Sequence, residues 1–342
     1  MGEPAGSESA KGGSRSPTER GSARITLLIC TSGRANLLDR CLVAVASESA
    51  RPDQVVVVNG TDGETPAVVG RHAPSFAEVV LVEHPNRNLA TLRNLGVPHC
   101  TGDVVAMTDD DALPGPEWVS AIRAAHAAHP EAGGIGGPVR GTKDSFLSRV
   151  ADRVVFPDPR PGKPIMTLPT VNMSYKCVAM ETAGTFDETL FRGEDVDFNW
   201  RVAQAGFTIA FEPEMKVTHE HRASLVGLFR QQYMYGRAYV LVRSKWPDMY
   251  AVYPHSLRSP RSWAKLAYAA LAILYQPYGI SRTMPTPGEQ VAAYPVLVGH
   301  HLIWKAAMLR QWLALRAGRK ADFPRIEPPK VKSWVGGKEQ KA

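Results

Sequence analysis

Cysteine is scarce in this 342-residue chain. Cys30, Cys41, Cys100 and Cys177 stand far apart, and no pair has the CxxC spacing of a zinc ribbon or a thioredoxin-type centre. They are expected to be reduced thiols, three of them in apolar surroundings, as in a cytosolic protein. A charged start followed by an apolar h-region is also missing, so no signal peptide is expected. Glycine is present without forming a nucleotide loop. The run Gly133-Gly-Ile-Gly-Gly-Pro138 does not open a helix after the first strand, which argues against a dinucleotide site. Thr31-Ser-Gly-Arg34, which does follow that strand, is not the Gly-rich phosphate loop of a nucleotidyltransferase. Acid is nearly absent from residues 223–325, where Asp248, Glu289 and Asp322 face fourteen Lys and Arg. The basic residues belong to no recognisable nucleic-acid-binding module, so a nucleic-acid partner is not expected.

What is present begins after a polar stretch, residues 1–23, rich in Gly, Ser and charge and read as a disordered tail. Short apolar runs at Ile25–Cys30, Val55–Val58, Val79–Val82 and Val104–Met107 alternate with helical patterns. Such alternation implies right-handed βαβ units and a largely parallel sheet. The fourth run ends in Asp109-Asp110-Asp111, followed by a turn at Pro114-Gly-Pro116. Three adjacent anions repel one another unless something positive sits among them. A hard divalent cation is the usual remedy, and ligand sites in open α/β sheets lie at such strand ends. Simple capping of the helix near Glu117 is the plainer alternative.

A second acidic group, Gly193-Glu194-Asp195-Val-Asp197, opens a helical pattern through Phe198 and Val202. Capping explains part of it, because anions are stabilised at a helix N-terminus. Three carboxylates exceed what capping needs. His219 and His221 fall at i, i+2 on an extended segment, so at most one of them is expected to face an acidic site. Residues 223–325 read as a helical, basic and apolar C-terminal region with two apolar helices, Ala264–Tyr275 and Val291–Leu315. It is either packed on the preceding domain or touching anionic lipid peripherally. Residues 326–342 read as a flexible tail.

Over Ile25 to Arg222 the chain resembles the family 2 glycosyltransferases. The features are Ile25–Arg34 as opening strand and turn, Val55–Asp62 as the nucleobase strand end, and Leu92-Arg93-Asn94-Leu-Gly96 as a helix start. Asp109–Asp111 stands where that family has its DxD motif, and Gly184–Glu188 with Gly193–Asp197 matches its acceptor-side signature. The resemblance implies a GT-A fold over residues 24–222: an α/β, Rossmann-like, mostly parallel sheet flanked by helices, with a helical C-terminal appendage. It implies an inverting, metal-assisted transfer from a nucleoside-diphosphate sugar to an acceptor hydroxyl. Asp195 is then the base, with Glu194 and Asp197 on the acceptor side. Thr31, Arg34, Asn59, Asp62, Arg93, Asp109 and Asp110 are the donor-side residues, and Asp109, Asp111 and His219 are the ligands of Mn²⁺ or Mg²⁺, with His221 an alternative to His219. Asn59 stands where that family commonly has Asp, which leaves the base open. The implied setting is cytoplasmic, with peripheral membrane contact. The rival readings are a non-catalytic nucleotide- or headgroup-binding protein and a nucleotidyltransferase.

Overall fold

The computed structural model describes residues 22–60, 63–85, 88–222, 224–247, 249, 259–318, 330–335 and 338–340. The expected tail at 1–23 lies almost wholly outside them. In chain order the elements begin β1 (Ile25–Thr31), α1 (Ala35–Ala46), β2 (Gln54–Asn59), α2 (Thr65–His72), β3 (Glu78–Glu83), α3 (Leu89–Gly96) and β4 (Val104–Asp109). They continue with β5 (Ala112–Pro114), α4 (Trp118–Ala128), β6 (Ala132–Gly136), β7 (Val139–Gly141), α5 (Phe146–Val154), β8 (Asn172–Lys176), α6 (Cys177–Ala183), α7 (Glu194–Gln204), β9 (Thr208–Phe211) and β10 (Val217–His219). Three long helices and a strand pair close the chain: α8 (Leu225–Lys245), α9 (Pro260–Ser281), α10 (Pro287–Arg316), β11 (Lys330–Val335) and β12 (Lys338–Gln340).

Among the described residues the main sheet runs β12-β11-β3-β2-β1-β4-β8-β6-β9, and a small sheet runs β5-β10-β7. Strands β3, β2, β1 and β4 are parallel neighbours, and β8 inserts antiparallel between β4 and β6. The apolar runs are continuous because both faces of the sheet are covered. On β1, Ile25, Leu27 and Ile29 pack on one side with α1, α2 and α4, while Leu28 and Cys30 pack on the other with α3 and α7. At Gly96 a Cβ would lie 2.5 Å from Leu28 and 2.7 Å from Val58, so a side chain there would push α3 off the sheet. The four cysteines are free thiols; Cys30 and Cys41 are buried, and burial raises the Cys30 thiol to about 12.

One expectation fails at the C-terminal end. Lys330–Val335 is not a loose tail: it pairs antiparallel with β3 along its full length and extends the sheet edge. The two expected apolar helices, Ala264–Tyr275 and Val291–Leu315, lie within α9 and α10, and α8 precedes them. Helix α8 mixes aromatic, Arg and Gln residues and has no apolar stripe, and α9 and α10 run through Pro277 and Pro295. These helices join the rest of the fold through Val150 and Ala151 of α5, Leu228 of α8, and Ala293 and Leu297 of α10. No helix among the described residues is long and apolar enough to cross a membrane.

The buried Glu48, just past α1, ties that helix to its neighbour α4, its Oε2 accepting from Val119 N at 2.8 Å. Burial raises its carboxyl to about 8, against the partial relief of that N–H. The folded state therefore holds the proton more tightly than the unfolded chain, and the contribution to stability is complete below pH 4.5 and lost as pH climbs to about 8. Glu48→Gln is expected to leave the melting temperature near wild type at pH 4.5 and to raise it increasingly toward pH 8. A difference that stays constant with pH in calorimetry would contradict this.

Candidate metal and acid–base site

Strand β4 delivers Asp109 to the carboxyl end of the sheet, in register with Cys30 of β1. The chain then turns through Asp110 and Asp111 into β5, whose antiparallel pairing with β10 puts His219 opposite Ala112. Glu220 N donates to Asp111 O at 3.0 Å and locks that register. As a result His219 Nε2 lies 3.2 Å from Asp111 Oδ1, and Asp109, Asp111 and His219 offer ligand atoms within 4.8 Å of one another. Two carboxylates and one imidazole converging at a strand end are a donor set that suits a hard divalent cation.

The repulsion within the triplet is relieved partly by the protein itself. Arg34 Nη2 pairs with Asp110, its Nε donates to Asp110 Oδ2 at 3.1 Å, and its Nη1 donates to Asp111 Oδ2 at 2.5 Å. Thr31 Oγ1 donates to the same Asp110 oxygen at 2.6 Å. Thr31 and Arg34 are thus engaged with the acidic turn. Asp110 is fully buried and turned into the β1–α1 corner. Burial alone would raise Asp111, but the hydrogen bonds and charges of His219 and Arg34 outweigh it and hold the group at about 2. Asp109 is raised, first by burial and then by Asp111. Asn59 is buried at the end of β2, and Asp62 lies outside the described residues.

The second cluster is aimed by Gly193, which caps α7 at φ +81°, a conformation that side chains other than glycine adopt at a cost. Glu194 turns inward and accepts from Arg93 Nη1 at 2.5 Å. Arg93, on α3, also approaches Asp109 Oδ1 at 4.0 Å and donates to Thr170 Oγ1 at 2.8 Å. One buried guanidinium therefore stands between the two acidic clusters. Its helix is pinned to the segment before α7, because Asn94 exchanges hydrogen bonds with the Phe186 backbone and also donates to Glu188 Oε1. Asp195 is half-buried, and its Oδ1 accepts from Val196 N at 2.8 Å. Burial, then the Glu194 charge, raise it to about 6, against Arg93. Asp197 is fully buried and held by Arg201, by Trp246 Nε1 at 2.7 Å and by Lys245 at 2.7 Å. With those partners it anchors α7 to α8.

Of the two histidines, His219 ends β10 and meets the triplet, whereas His221 lies beyond the strand. His221 Nε2 is 2.8 Å from Asp152 Oδ1, its Nδ1 is 3.3 Å from His219 Nδ1, and Phe156 stacks on its ring. Asp152, Phe156 and Thr170 carried no motif that singled them out. Tyr235 of α8 was equally hidden: it is raised by burial and feels both Asp195 and Asp109.

Residues 26–182 match the family model described as Glycosyl transferase family 2. Among curated proteins, the chain is 27% identical over 247 residues to the pre-mycofactocin glycosyltransferase of Mycobacterium tuberculosis, covering 68% of this chain and 50% of that protein. It is 29% identical over 236 residues to the succinoglycan biosynthesis protein ExoM of Rhizobium meliloti, covering 63% and 74% respectively. The chain thus spans about half the length of the mycobacterial relative. Among solved structures, the mannosyltransferase PcManGT of Pyrobaculum calidifontis, in complex with GDP-Man and Mn²⁺, superposes with a TM-score of 0.59 at 19% identity, covering 87% of this chain and 89% of that one. At that identity the likeness is one of fold.

Proposed function

From a chain whose residues 26–182 match the model of Glycosyl transferase family 2 and whose fold superposes on a mannosyltransferase, we propose an inverting transfer of a sugar from a nucleoside diphosphate to an acceptor hydroxyl. The observation that carries the proposal is Arg93, buried between the metal-type cluster at Asp109 and the acid–base cluster at Glu194. Two carboxylate groups brought to one guanidinium leave room for different tasks on either side of it. Asp109, Asp111 and His219 hold Mn²⁺ or Mg²⁺; when bound, the cation supplies Lewis-acid stabilisation of the charge that grows on the departing diphosphate. Asp195 takes the proton of the acceptor hydroxyl as its oxygen forms the bond to the anomeric carbon. The bond from that carbon to the diphosphate oxygen breaks on the opposite face, which inverts the configuration. A carboxyl raised to about 6 is matched to a base working near neutrality. Asn59, at the open end of β2, and the segment around Asp62 remain the nucleobase side of the proposal. The GDP-Man and Mn²⁺ bound by the archaeal neighbour favour sugar transfer over nucleotidyl transfer.

The test is a thermal-shift panel of nucleoside-diphosphate sugars with and without Mn²⁺. At ~100 times its dissociation constant a bound donor adds about 2.7 kcal/mol, enough to raise the melting point by several degrees. At least one donor is expected to do so only with metal, and a panel with no metal-dependent shift would contradict the proposal.

Peripheral membrane contact belongs to the same proposal. Helix α9 exposes Trp263, Leu266, Leu271, Leu274 and Tyr278, with Leu271 64% accessible, and carries Arg261 and Lys265 without an acidic residue. A bare apolar helix with a basic end fits an anionic interface. Flotation with phosphatidylglycerol vesicles is expected to carry the protein, phosphatidylcholine vesicles to leave most of it behind, and Leu271→Asp to weaken binding about tenfold. Equal flotation of the variant would contradict it.

A further inference from the structure

A cleft of about 1180 Å³ lies between α5, the proline-rich segment after it, and the layer of α8, α9 and α10. That is larger than the roughly 300–1,000 Å³ of ordinary small-molecule sites. It adjoins the metal-type cluster through Asp152 and His221. Asp152 lines it and also accepts from His221, and Phe156, which stacks on His221, precedes the lining residues Pro157 and Asp158. On α8, Gln232 lines the cleft one turn before Tyr235.

Of the guanidinium groups in its wall two are engaged, while the Arg160 side chain has no hydrogen-bond or ion-pair partner among the described residues. Arg140 is bidentate to Asp158, and Arg153 donates to Thr283 Oγ1 at 2.9 Å and to Thr283 O at 2.8 Å. Beside Arg160 stand aromatic and neutral polar groups: Tyr275, Trp304, Gln232, Gln276, His300 and His301. His300 is the anomaly. It is 2% exposed, and neither ring nitrogen has a hydrogen-bond partner among the described residues. Burial, then His301, lower it to about 3, so the ring is neutral and offers one donor and one acceptor. A buried polar group left unpaired costs roughly 1–3 kcal/mol, a cost that a ligand hydroxyl would remove. Aromatic faces beside neutral hydrogen-bonding groups suit a ring with an apolar C–H face and hydroxyl edges.

We propose that this cleft is the acceptor site and that the acceptor is a glycoside, its sugar ring held between the aromatic wall and His300. The inference rests on the transferase reading above, and its test is independent of turnover. The full chain, with its histidines labelled by ¹³C at Cε1, is titrated with octyl β-glucoside below its micellar concentration and, in parallel, with octyl phosphate. Octyl glucoside is expected to shift the His300 and His301 resonances saturably, and octyl phosphate to leave them in place at the same concentration. Two variants separate the site from the fold. Gly279→Phe projects a ring into the cleft from a position where a Cβ meets nothing within 4 Å. His300→Leu removes the unpaired imidazole and is expected to leave the melting temperature unchanged or higher. Both are expected to weaken the glucoside at least tenfold, read at His301 in the second, with metal-dependent donor binding unchanged. No saturable glucoside shift, tighter binding of octyl phosphate, or indifference to both variants would overturn the inference. Loss of donor binding in the wild type would instead strike the transferase reading itself.

Discussion

Asp195→Asn is expected to bind a nucleotide-sugar donor with wild-type affinity and to lose turnover by ~10³-fold, within the 10²–10⁴ that a positioned base contributes. Asparagine keeps the volume and the acceptor for Val196 N, so α7 retains its first turn. It cannot take a proton. The pH profile carries a second signature. Because burial and Glu194 raise Asp195 to about 6, the deprotonated base is lost as pH falls through that value. The wild-type kcat/KM is therefore expected to rise with pH up to about 6 and then level, and the residual rate of the variant to lack that step. A variant that transfers sugar near the wild-type rate would remove Asp195 from the mechanism.

The second large effect is expected at Asp111→Ala. The side chain joins His219 and Arg34, so its loss deletes one ligand and releases the imidazole that faces it. Donor affinity in the presence of Mn²⁺ is expected to fall by ~10²-fold or more, because removing even a supporting partner of a metal ligand costs 10–100-fold. Without metal, wild type and variant are expected to bind donor equally weakly. Calorimetric titration of the donor with and without Mn²⁺ makes the comparison, and full metal-dependent affinity in the variant would contradict the assignment of Asp111.

Much of the α/β core was legible because its physics is local. Strands covered on both faces read as unbroken apolar runs, and β1 to β4 stand where Ile25–Cys30, Val55–Val58, Val79–Val82 and Val104–Met107 put them. The acidic turn was visible as an electrostatic anomaly. Its partner was not: Arg34 reaches Asp110 and Asp111 across more than seventy residues, and a single sequence does not show whether a guanidinium or a metal ion neutralises a carboxylate. The partners of Asp197 were hidden for the same reason, since Trp246 and Lys245 come from the end of α8, a helix whose mixed face gave no period to follow. The strands β5, β7 and β10 are three residues long, too short for any alternation to register, yet their pairing is what brings His219 to Asp111. The pairing of β11 with β3 is equally non-local, and Lys330–Val335 carried no pattern that separates an edge strand from a tail.

The convergence of the two acidic clusters on one site is tested most directly by anomalous scattering at the manganese edge from crystals grown with Mn²⁺ and the donor chosen by thermal shift. One peak is expected, bonded to Asp109, Asp111 and His219, with the donor's anomeric carbon lying between it and the Asp195 carboxylate. A manganese peak elsewhere, or a donor whose anomeric carbon faces away from Asp195, would contradict that convergence.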